Sequence, residues 1–436
     1  MKNRKIFRGF RFRLPEYRLK KTDSTFTRNL GWLGLSGAVI RVTRLLTTIV
    51  LARFLTQHDY GLVAIVLTVN DIVRVFTRNG IGTRLIQAKA ENIQQLAQSA
   101  YWLNWAISIA LFVGQCLAAF PLAWFYRDEQ LILPICAMAF SLLLLPHGLV
   151  QAALIQRENR LKAIAVVEMV QFSTDNILSL IFAIAGWGMW AIILPKLLVP
   201  PIWVYIMLKN HSWRPKLKFT TSGWGDLLRF GRNVLGVELL NNLRGNLDYL
   251  IVGRFLSIEA LGIYYFAFNA GLGISLGIIT SIKSALLPHL CDARANLLQF
   301  KQRYFSSLRT ISFIILPMVL LQSSLAPIYV PIVFGEKWIP AIPVLILICL
   351  SAIPRPFADS ASQLLIAVDK PQIDLLWNVV FTALFTVALL IGVQWQSIGV
   401  ATTVLIVHAV CLPLFAIWAT QYVFNRLSAL EQAASS

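Results

Sequence analysis

Residues 53–61 of the chain are RFLTQHDYG, and residues 254–262 are RFLSIEALG. Both segments begin with Arg-Phe-Leu, carry Thr or Ser three positions after the arginine, and end in a glycine eight positions after it, and they lie 201 residues apart. Similarity at so long a spacing indicates that the two halves of the chain are structurally related. A chance match over nine residues is the alternative.

The chain is far more apolar than a soluble protein. Of its 436 residues, 57% are hydrophobic and only 14% are charged, and the mean hydropathy is +0.67. Helices of about 20 apolar residues can cross a bilayer. The sequence contains twelve such runs, at residues 30–51, 60–82, 99–121, 131–154, 164–185, 187–208, 227–252, 260–287, 304–334, 338–367, 372–393 and 397–420. We therefore predict an all-α, polytopic membrane protein with about twelve transmembrane helices.

Prolines are expected to break three of these helices, because proline removes a helical hydrogen bond. They lie in the sixth, ninth and tenth helices, as Pro195, Pro200, Pro201, Pro317, Pro327, Pro331, Pro340, Pro343, Pro354 and Pro356.

The repeat divides the twelve helices into two sets of six. It aligns helix 1 with helix 7 and helix 2 with helix 8, and LIQREN at 154–159 falls over LIAVDK at 365–370. Because six is even, both halves have the same orientation in the membrane. Each RFL segment is then predicted to be a turn between the first and second helices of its half, in which the arginine ends one helix and the hydroxyl residue and the glycine shape the start of the next. The predicted order is a basic tail at 1–29, a six-helix bundle at 30–208, a basic linker at 209–225, a second six-helix bundle at 226–420 and a tail at 421–436.

The net charge of +19 alternates from loop to loop. Residues 1–28 hold ten Lys and Arg against two acids, and the loops after even-numbered helices are basic, whereas the opposite loops offer only Arg53, Arg127, Arg254 and Lys337. The positive-inside rule then predicts cytoplasmic termini. Residues 1–28 lack the apolar core of a signal peptide and are expected to be retained, either on anionic lipid or as a disordered tail. No single basic patch could follow a phosphate backbone, so a nucleic-acid partner is not expected.

Six of the cations inside the predicted helices are candidates for a substrate site. Each would cost about 2.5–3.5 kcal/mol at the bilayer centre if it faced lipid, so we expect them to line a cationic cavity between the halves. Arginine offers a planar fork of donors that matches phosphate oxygens, which suits a diphosphate. Alternatives remain open. Lys283 lies near the end of its predicted helix and could extend to lipid headgroups, and Arg244 could pair with Asp248 along its helix. The six are Arg41, Arg44, Arg74, Arg232, Arg244 and Lys283.

Acidic groups inside the predicted helices are candidates for ion coupling. A buried carboxylate can exchange a proton or bind Na⁺, and the alternative role is to balance neighbouring arginines. The six candidates are Glu168, Asp175, Glu238, Asp248, Asp359 and Asp374. The five cysteines have no ligand spacing, and neither a phosphate loop nor a large extramembrane loop is present, so we predict a carrier without metal, cofactor or enzymatic activity.

Residues 51–87, LARFLTQHDYGLVAIVLTVNDIVRVFTRNGIGTRLIQ, resemble the same region of bacterial Wzx-type oligosaccharide flippases of the multidrug/oligosaccharidyl-lipid/polysaccharide exporter superfamily. The matching motif positions are Leu51, Ala52, Arg53, Leu55, Thr56, Asp59, Tyr60, Gly61, Gly80, Gly82, Leu85, Ile86 and Gln87. The resemblance implies two six-helix bundles in a V shape. Such a protein flips undecaprenyl-diphosphate-linked oligosaccharides across the bacterial inner membrane for assembly of O-antigen, capsule or exopolysaccharide. Membrane lipid and polysaccharide polymerase or assembly proteins are the implied partners.

A multidrug exporter of the same superfamily is the main alternative function. Cationic drugs would favour an acidic cavity, so the arginines favour the flippase. A sugar carrier of the major facilitator type is disfavoured because the loop RNGIGTRLIQAKAEN at 78–92 lacks the expected G-x-x-x-D-R-x-G-R pattern.

Overall fold

The computed structural model describes residue 40 and residues 43–435, apart from 79, 159, 217, 218 and 295. Only the backbone is described at 78, 161, 230–234, 237, 273–278, 280–285 and 428–435. Within this part of the chain the structure is helical and contains no strand. The α-helices are α1 (residues 43–54), α2 (Gln57–Val75), α3 (Ile81–Gln87), α4 (Ile93–Tyr126), α5 (Ile132–Leu144), α6 (Pro146–Arg157), α7 (Leu161–Ile184), α8 (Trp190–Ile193), α9 (Pro195–Leu198), α10 (Pro200–Asn210), α11 (Trp224–Phe255), α12 (Ile258–Cys291), α13 (Leu297–Tyr329), α14 (Ile342–Ser351), α15 (Arg355–Ala367), α16 (Pro371–Gly392) and α17 (Gln396–Ser435).

The prediction of an all-helical membrane protein is confirmed. Among the described residues, six stretches are long and apolar enough to cross a membrane: Ala90–Tyr126, Lys162–Ile184, Trp190–Asn210, Leu297–Phe334, Glu336–Ala367 and Pro371–Leu427. A seventh candidate is α5 with α6, which meet at a 51° bend. The predicted count of twelve stays a prediction. The last helix, α17, continues to Ser435, beyond residue 420 where the sequence predicted its end.

Prolines divide some of the predicted helices and leave others intact. The predicted sixth helix is three short helices, and Pro195 and Pro200 begin the second and third of them. In contrast, α13 runs through Pro317 and Pro327, so the breaks predicted at these two prolines are wrong. At Pro331, the third proline of that predicted helix, the α-helix gives way to a π-helix over Val330–Phe334. A long helix packed among others can satisfy the carbonyl that each proline leaves free. The bend between α5 and α6 lies at Pro146, which the sequence analysis did not single out.

The repeated hydroxyl residues start the two helices that follow them. Thr56 and Asp59 form a capping box at the start of α2, in which Thr56 Oγ1 accepts from the Asp59 N–H at 3.1 Å and Asp59 Oδ2 accepts from the Thr56 N–H at 2.9 Å. Ser257 caps α12 in the same way, accepting from the Ala260 N–H at 3.1 Å. Both caps satisfy backbone donors that the first helical turn leaves free. The predicted role of the repeat as a pair of turns is confirmed.

The two copies of the repeat also pack directly against each other. A Cβ placed at Gly61 would lie 1.9 Å from Ile258 O, and a Cβ placed at Gly262 would lie 1.8 Å from Gln57 O. Ile258 is the repeat equivalent of Gln57, so each copy presents to the other the contact that it receives, as in a two-fold symmetric interface. We call these four residues the repeat contact. A chance sequence match gives no reason for this reciprocity.

Polar contacts surround the repeat contact and join α1 and α2 to the other half of the chain. His58 Nδ1 lies 2.8 Å from Glu259 Oε1, and these residues are again repeat equivalents. Lys337 Nζ donates to the carbonyls of Arg53 and Leu55 at 2.9 and 2.6 Å. These carbonyls lie at the end of α1, where the helix leaves acceptors free.

An aromatic cluster fills the core beneath these contacts. Trp338 is fully buried, stacks on Phe266 at 3.9 Å between ring centroids and meets Tyr60 edge-on at 5.0 Å. Its Nε1 donates to Ala52 O at 2.8 Å, so the polar edge of the ring is satisfied as well. The starts of α2 and α12 therefore meet over a closed, well-packed core at this end of the molecule.

Candidate functional site

The charged residues predicted from the sequence gather in two places. Nine of the twelve have described side chains, and eight of these nine line one of two polar cavities. These charged groups, which would be costly to expose to lipid, thus line polar cavities inside the protein.

The first cavity has a volume of about 560 Å³ and lies among α2, α7, α9 and α11. Its predicted members are Arg74, Glu168, Asp175 and Glu238. Lys196, which was not among the predicted site residues, forms an ion pair with Asp175 at 3.1 Å between Nζ and Oδ2. Pro195 starts the short α9 and so places Lys196 at the wall.

Carboxylates outnumber cations among the described residues of the first cavity. Four acids line it, Asp71, Glu168, Asp175 and Glu238, against the two cations Arg74 and Lys196. Arg41 lies outside the described residues, and so do the side chains of Arg232 and Lys283. The predicted excess of positive charge therefore stays a prediction.

The second cavity lies among α11, α15, α16 and α17 and has two adjoining compartments of about 280 and 420 Å³. Both compartments share Arg244 and Asp359. The Arg244 guanidinium donates to the side-chain oxygens of Asn378 and Asn241, the latter at 3.2 Å. Asp374 lines the larger compartment, where its Oδ1 is buried and has no protein partner among the described residues.

Asp248 lines the smaller compartment and is held by a separate contact. Its Oδ2 accepts from the Tyr264 hydroxyl at 2.9 Å. Arg244 and Asp248, for which a pair along the helix was an alternative, thus have different partners. Arg355 adds a second cation to this compartment.

An aromatic wall closes one side of the second cavity. Trp377 stacks on Phe415 with ring centroids 4.5 Å apart and planes 4° apart. The His408 ring lies beside Phe381 and Phe385, at 5.9 and 5.5 Å between centroids and with planes within 20° of both rings. Flat π-faces of this kind pack against the apolar faces of ring-shaped ligands.

The helix α11 separates the two cavities and carries charge toward both. Glu238 and Asn242 line the first cavity, whereas Asn241, Arg244 and Asp248 line the second. Residues three and four apart share a face of a helix, which explains the division into 238 and 242 on one face and 241, 244 and 248 on the other.

Arg44 lies apart from the other predicted cations. It is exposed and lines neither cavity.

Sequence reasoning missed Lys196 and the aromatic wall. Lys196 is a single cation in an apolar run, which is the signal that identified Arg74, so it could have been found. Trp377, Phe381 and Phe385 recur every four residues on one helix face. That spacing is equally typical of a lipid-facing or core stripe, so sequence alone could not distinguish a cavity wall.

Comparison with known proteins gives a consistent picture. A family described as "Polysaccharide biosynthesis protein" matches residues 50–343. The teichuronic acid biosynthesis protein TuaB of Bacillus subtilis is 26% identical over 409 residues, which cover 92% of this chain and 84% of TuaB. The lipopolysaccharide biosynthesis protein WzxC of Escherichia coli is 26% identical over 384 residues, which cover 87% of this chain and 77% of WzxC.

Solved structures share the fold. The lipid II flippase MurJ in an inward closed conformation has a TM-score of 0.74 at 13% identity, over 91% of this chain and 90% of MurJ. An inward-facing multidrug resistance MATE transporter of the MOP superfamily has a TM-score of 0.71 at 15% identity, over 90% of this chain and 96% of that chain. The fold is that of MOP superfamily transporters, and because the family match extends over residues 50–343, more than half of the sequence, the chain belongs to the polysaccharide biosynthesis protein family.

Proposed function

We propose that the protein flips an undecaprenyl-diphosphate-linked oligosaccharide across the bacterial inner membrane, for assembly of O-antigen, capsule or exopolysaccharide. It would work by alternating access between two six-helix bundles, with about twelve transmembrane helices, both termini in the cytoplasm and no covalent chemistry. Membership of a polysaccharide biosynthesis family and relatives named for teichuronic acid and lipopolysaccharide biosynthesis support this proposal.

The observation that carries the proposal is the second cavity. It combines two arginines, Arg244 and Arg355, with stacked aromatic rings and the amide of Asn378. Guanidinium groups suit phosphate oxygens, aromatic faces suit the apolar faces of sugar rings, and amides suit hydroxyl groups. A lipid-linked sugar diphosphate presents all three kinds of group.

Cations predicted from the sequence complete the proposed diphosphate site. Arg74 lines the first cavity and Arg244 the second. We include Arg41, Arg44, Arg232 and Lys283 in the proposed diphosphate site. Several arginines can replace the water shell of a diphosphate as it passes through the bilayer.

Ion coupling is assigned to the cavity carboxylates, Glu168, Asp175, Glu238, Asp248, Asp359 and Asp374. In the first cavity Asp175 already has Lys196 as its partner. A paired carboxylate tends to stay ionised, whereas an unpaired one in a low-dielectric site exchanges a proton more readily. Glu168 and Glu238 are therefore the stronger candidates of that cavity.

A second candidate function is multidrug export. The four carboxylates against two cations in the described part of the first cavity would suit a cationic drug. Drug export from the expressing strain, with no effect on surface polysaccharide, would favour this function over the flippase.

Complementation tests the leading proposal. The full chain is expressed in a bacterium whose own flippase is deleted, and surface polysaccharide and accumulated lipid-linked intermediates are measured. We expect restoration by the parent and loss of restoration in an Arg74→Gln/Arg244→Gln variant. Arg309→Gln is the matched control, because Arg309 is exposed on α13 and lines neither cavity. Full activity of the double variant would overturn the assignment of the site.

A further inference from the structure

Four cations lie at the end of the molecule that carries the repeat, and they form two matched pairs. Arg53 and Arg254 are repeat equivalents at the ends of α1 and α11, and each lies near the loop that follows a helix of the other half. Lys337 follows α13 and Arg127 follows α4 on these loops. The two-fold relation therefore pairs Arg53 with Lys337 on one side and Arg254 with Arg127 on the other.

The first pair is occupied by the protein itself. Arg53 Nε donates to Val333 O at 3.0 Å and its Nη2 donates to Ile332 O. Lys337 donates to the carbonyls at the end of α1. All of these acceptors are backbone groups at helix ends, so this pair has a structural role.

The second pair has no such acceptors. In the described part of the chain, neither the Arg127 nor the Arg254 guanidinium donates a hydrogen bond or forms an ion pair with the protein. Both side chains instead line two adjoining cavities of about 490 and 300 Å³. Arg254 lies over the ring of Phe125 at 4.7 Å from its centroid, which orients the guanidinium without using its donors.

The spacing of the two arginines is fixed by the packing beneath them. A Cβ placed at Gly253 would lie 3.0 Å from the ring of Tyr126, so the end of α4 rests directly on α11. Arg127 ends α4 with φ 59°, a left-handed conformation that turns the chain away from the helix axis. The site is thus built on two packed helix ends.

The surroundings are typical of a membrane boundary. α4 belongs to the candidate membrane span Ala90–Tyr126, and the arginines lie where that span ends. Trp124 is 83% exposed there, and it continues a stripe of exposed apolar side chains at Val113, Leu117 and Phe120. Tryptophan is enriched at the depth of lipid headgroups. A lipid chain lying along this stripe would bring its headgroup to Arg127.

Two acids also line the larger cavity. Asp128 is engaged, since its Oδ1 accepts from the Gln130 N–H at 2.8 Å and its Oδ2 lies 3.7 Å from His58 Nε2. Glu129 is exposed to water. Both carboxylates oppose an anion at this site, and Glu129 is the one whose side chain has no contact among the described residues that offsets its charge.

We propose that Arg127 and Arg254 bind the phosphate group of a membrane lipid whose chain lies along the exposed stripe of α4. Two guanidinium groups whose donors are free of protein acceptors match phosphate oxygens, and a lipid supplies phosphate at this depth. Under the topology proposed above the lipid is in the periplasmic leaflet. The site is separate from both central cavities, so its loss and the loss of flipping are measured independently.

Lipid titration followed by native mass spectrometry tests the proposal. The full chain in detergent is titrated with dioleoylphosphatidylglycerol, and the dissociation constant of the tightest bound lipid is determined. One basic residue near a membrane contributes about a fivefold change in affinity, so Arg127→Gln/Arg254→Gln is expected to bind about 30-fold more weakly. Glu129→Gln is expected to bind about fivefold more tightly.

Controls separate the lipid from its parts. Arg229→Gln removes an exposed cation from the other end of α11 and should leave the affinity unchanged. Dioleoylglycerol has the chains without the phosphate, and glycerol 3-phosphate has the phosphate without the chains, and neither should compete. An Arg127→Lys/Arg254→Lys variant, which keeps both charges, should bind within about tenfold of the parent. Unchanged affinity in the glutamine double variant, or full competition by dioleoylglycerol, would overturn the proposal.

Discussion

Replacing Gly61 by alanine should open the end of the molecule that carries the repeat. The new Cβ would lie 1.9 Å from Ile258 O, whereas ordinary contacts begin at 3.4 Å, so α2 and α12 must separate by about 1.5 Å. The contact between His58 and Glu259, now 2.8 Å, would lengthen to about 4.3 Å and cease to be a hydrogen bond. Overpacking of this size costs about 1–3 kcal/mol. The closed arrangement should lose population by about 5- to 150-fold relative to one open at this end.

Spin-label distances measure this change. Labels at Glu129→Cys and Glu336→Cys, in a chain without its five native cysteines, lie at exposed positions of the two halves, each at the start of a short 3-10 helix. Gly61→Ala should move the distance distribution to longer values, and Gly262→Ala should do the same because its Cβ would lie 1.8 Å from Gln57 O. The control is Gly114→Ala, where the Cβ meets nothing within 4 Å. A distribution identical to that of the parent in both variants would refute the closing role of the repeat contact.

Three further predictions concern stability and the first cavity. Lys337→Met removes two hydrogen bonds to the end of α1 and should destabilise the fold by about 2 kcal/mol, measured as a lower thermal unfolding temperature. Asp59→Ala should destabilise the fold by about 1–2 kcal/mol, and by more than Ser257→Ala in the same assay. The reason is that Asp59 Oδ1 also accepts from the Met189 N–H, just before α8, at 3.0 Å. Equal losses in the two variants would contradict this. Lys196→Met should lower transport by leaving Asp175 without its partner, and Lys196→Met/Asp175→Asn should recover part of it, with a coupling of about 0.5–3 kcal/mol in a double-mutant cycle.

The sequence predicted the membrane class and the repeated turns because both depend on local patterns. Runs of apolar residues identify helices wherever they lie, and Thr56 and Ser257 act within one turn of their own helices. The charged residues were found for the same reason, since an ionisable group in an apolar run is costly at any position.

The pairing of distant residues could not be predicted in this way. The repeat suggested that Gly61 and Gly262 are equivalent, but it did not indicate that each packs against a backbone carbonyl of the other copy. Likewise, the sequence did not indicate that Arg74 lies on one side of α11 and Arg244 on the other. Which face of α11 turns toward which neighbour depends on tertiary packing, and a single sequence carries that information only weakly.

Because α11 lies between the cavities and contributes charged residues to both, it could couple binding in one cavity to binding in the other. A ligand that drew Arg244 toward itself would pull on the helix that also carries Glu238 at the wall of the first cavity. Whatever free energy this motion transfers must act equally in reverse, so an ion bound at Glu238 would change the affinity for the ligand by the factor that the ligand changes the affinity for the ion. Binding in one cavity can thus affect binding in the other through α11, although the two cavities are separate.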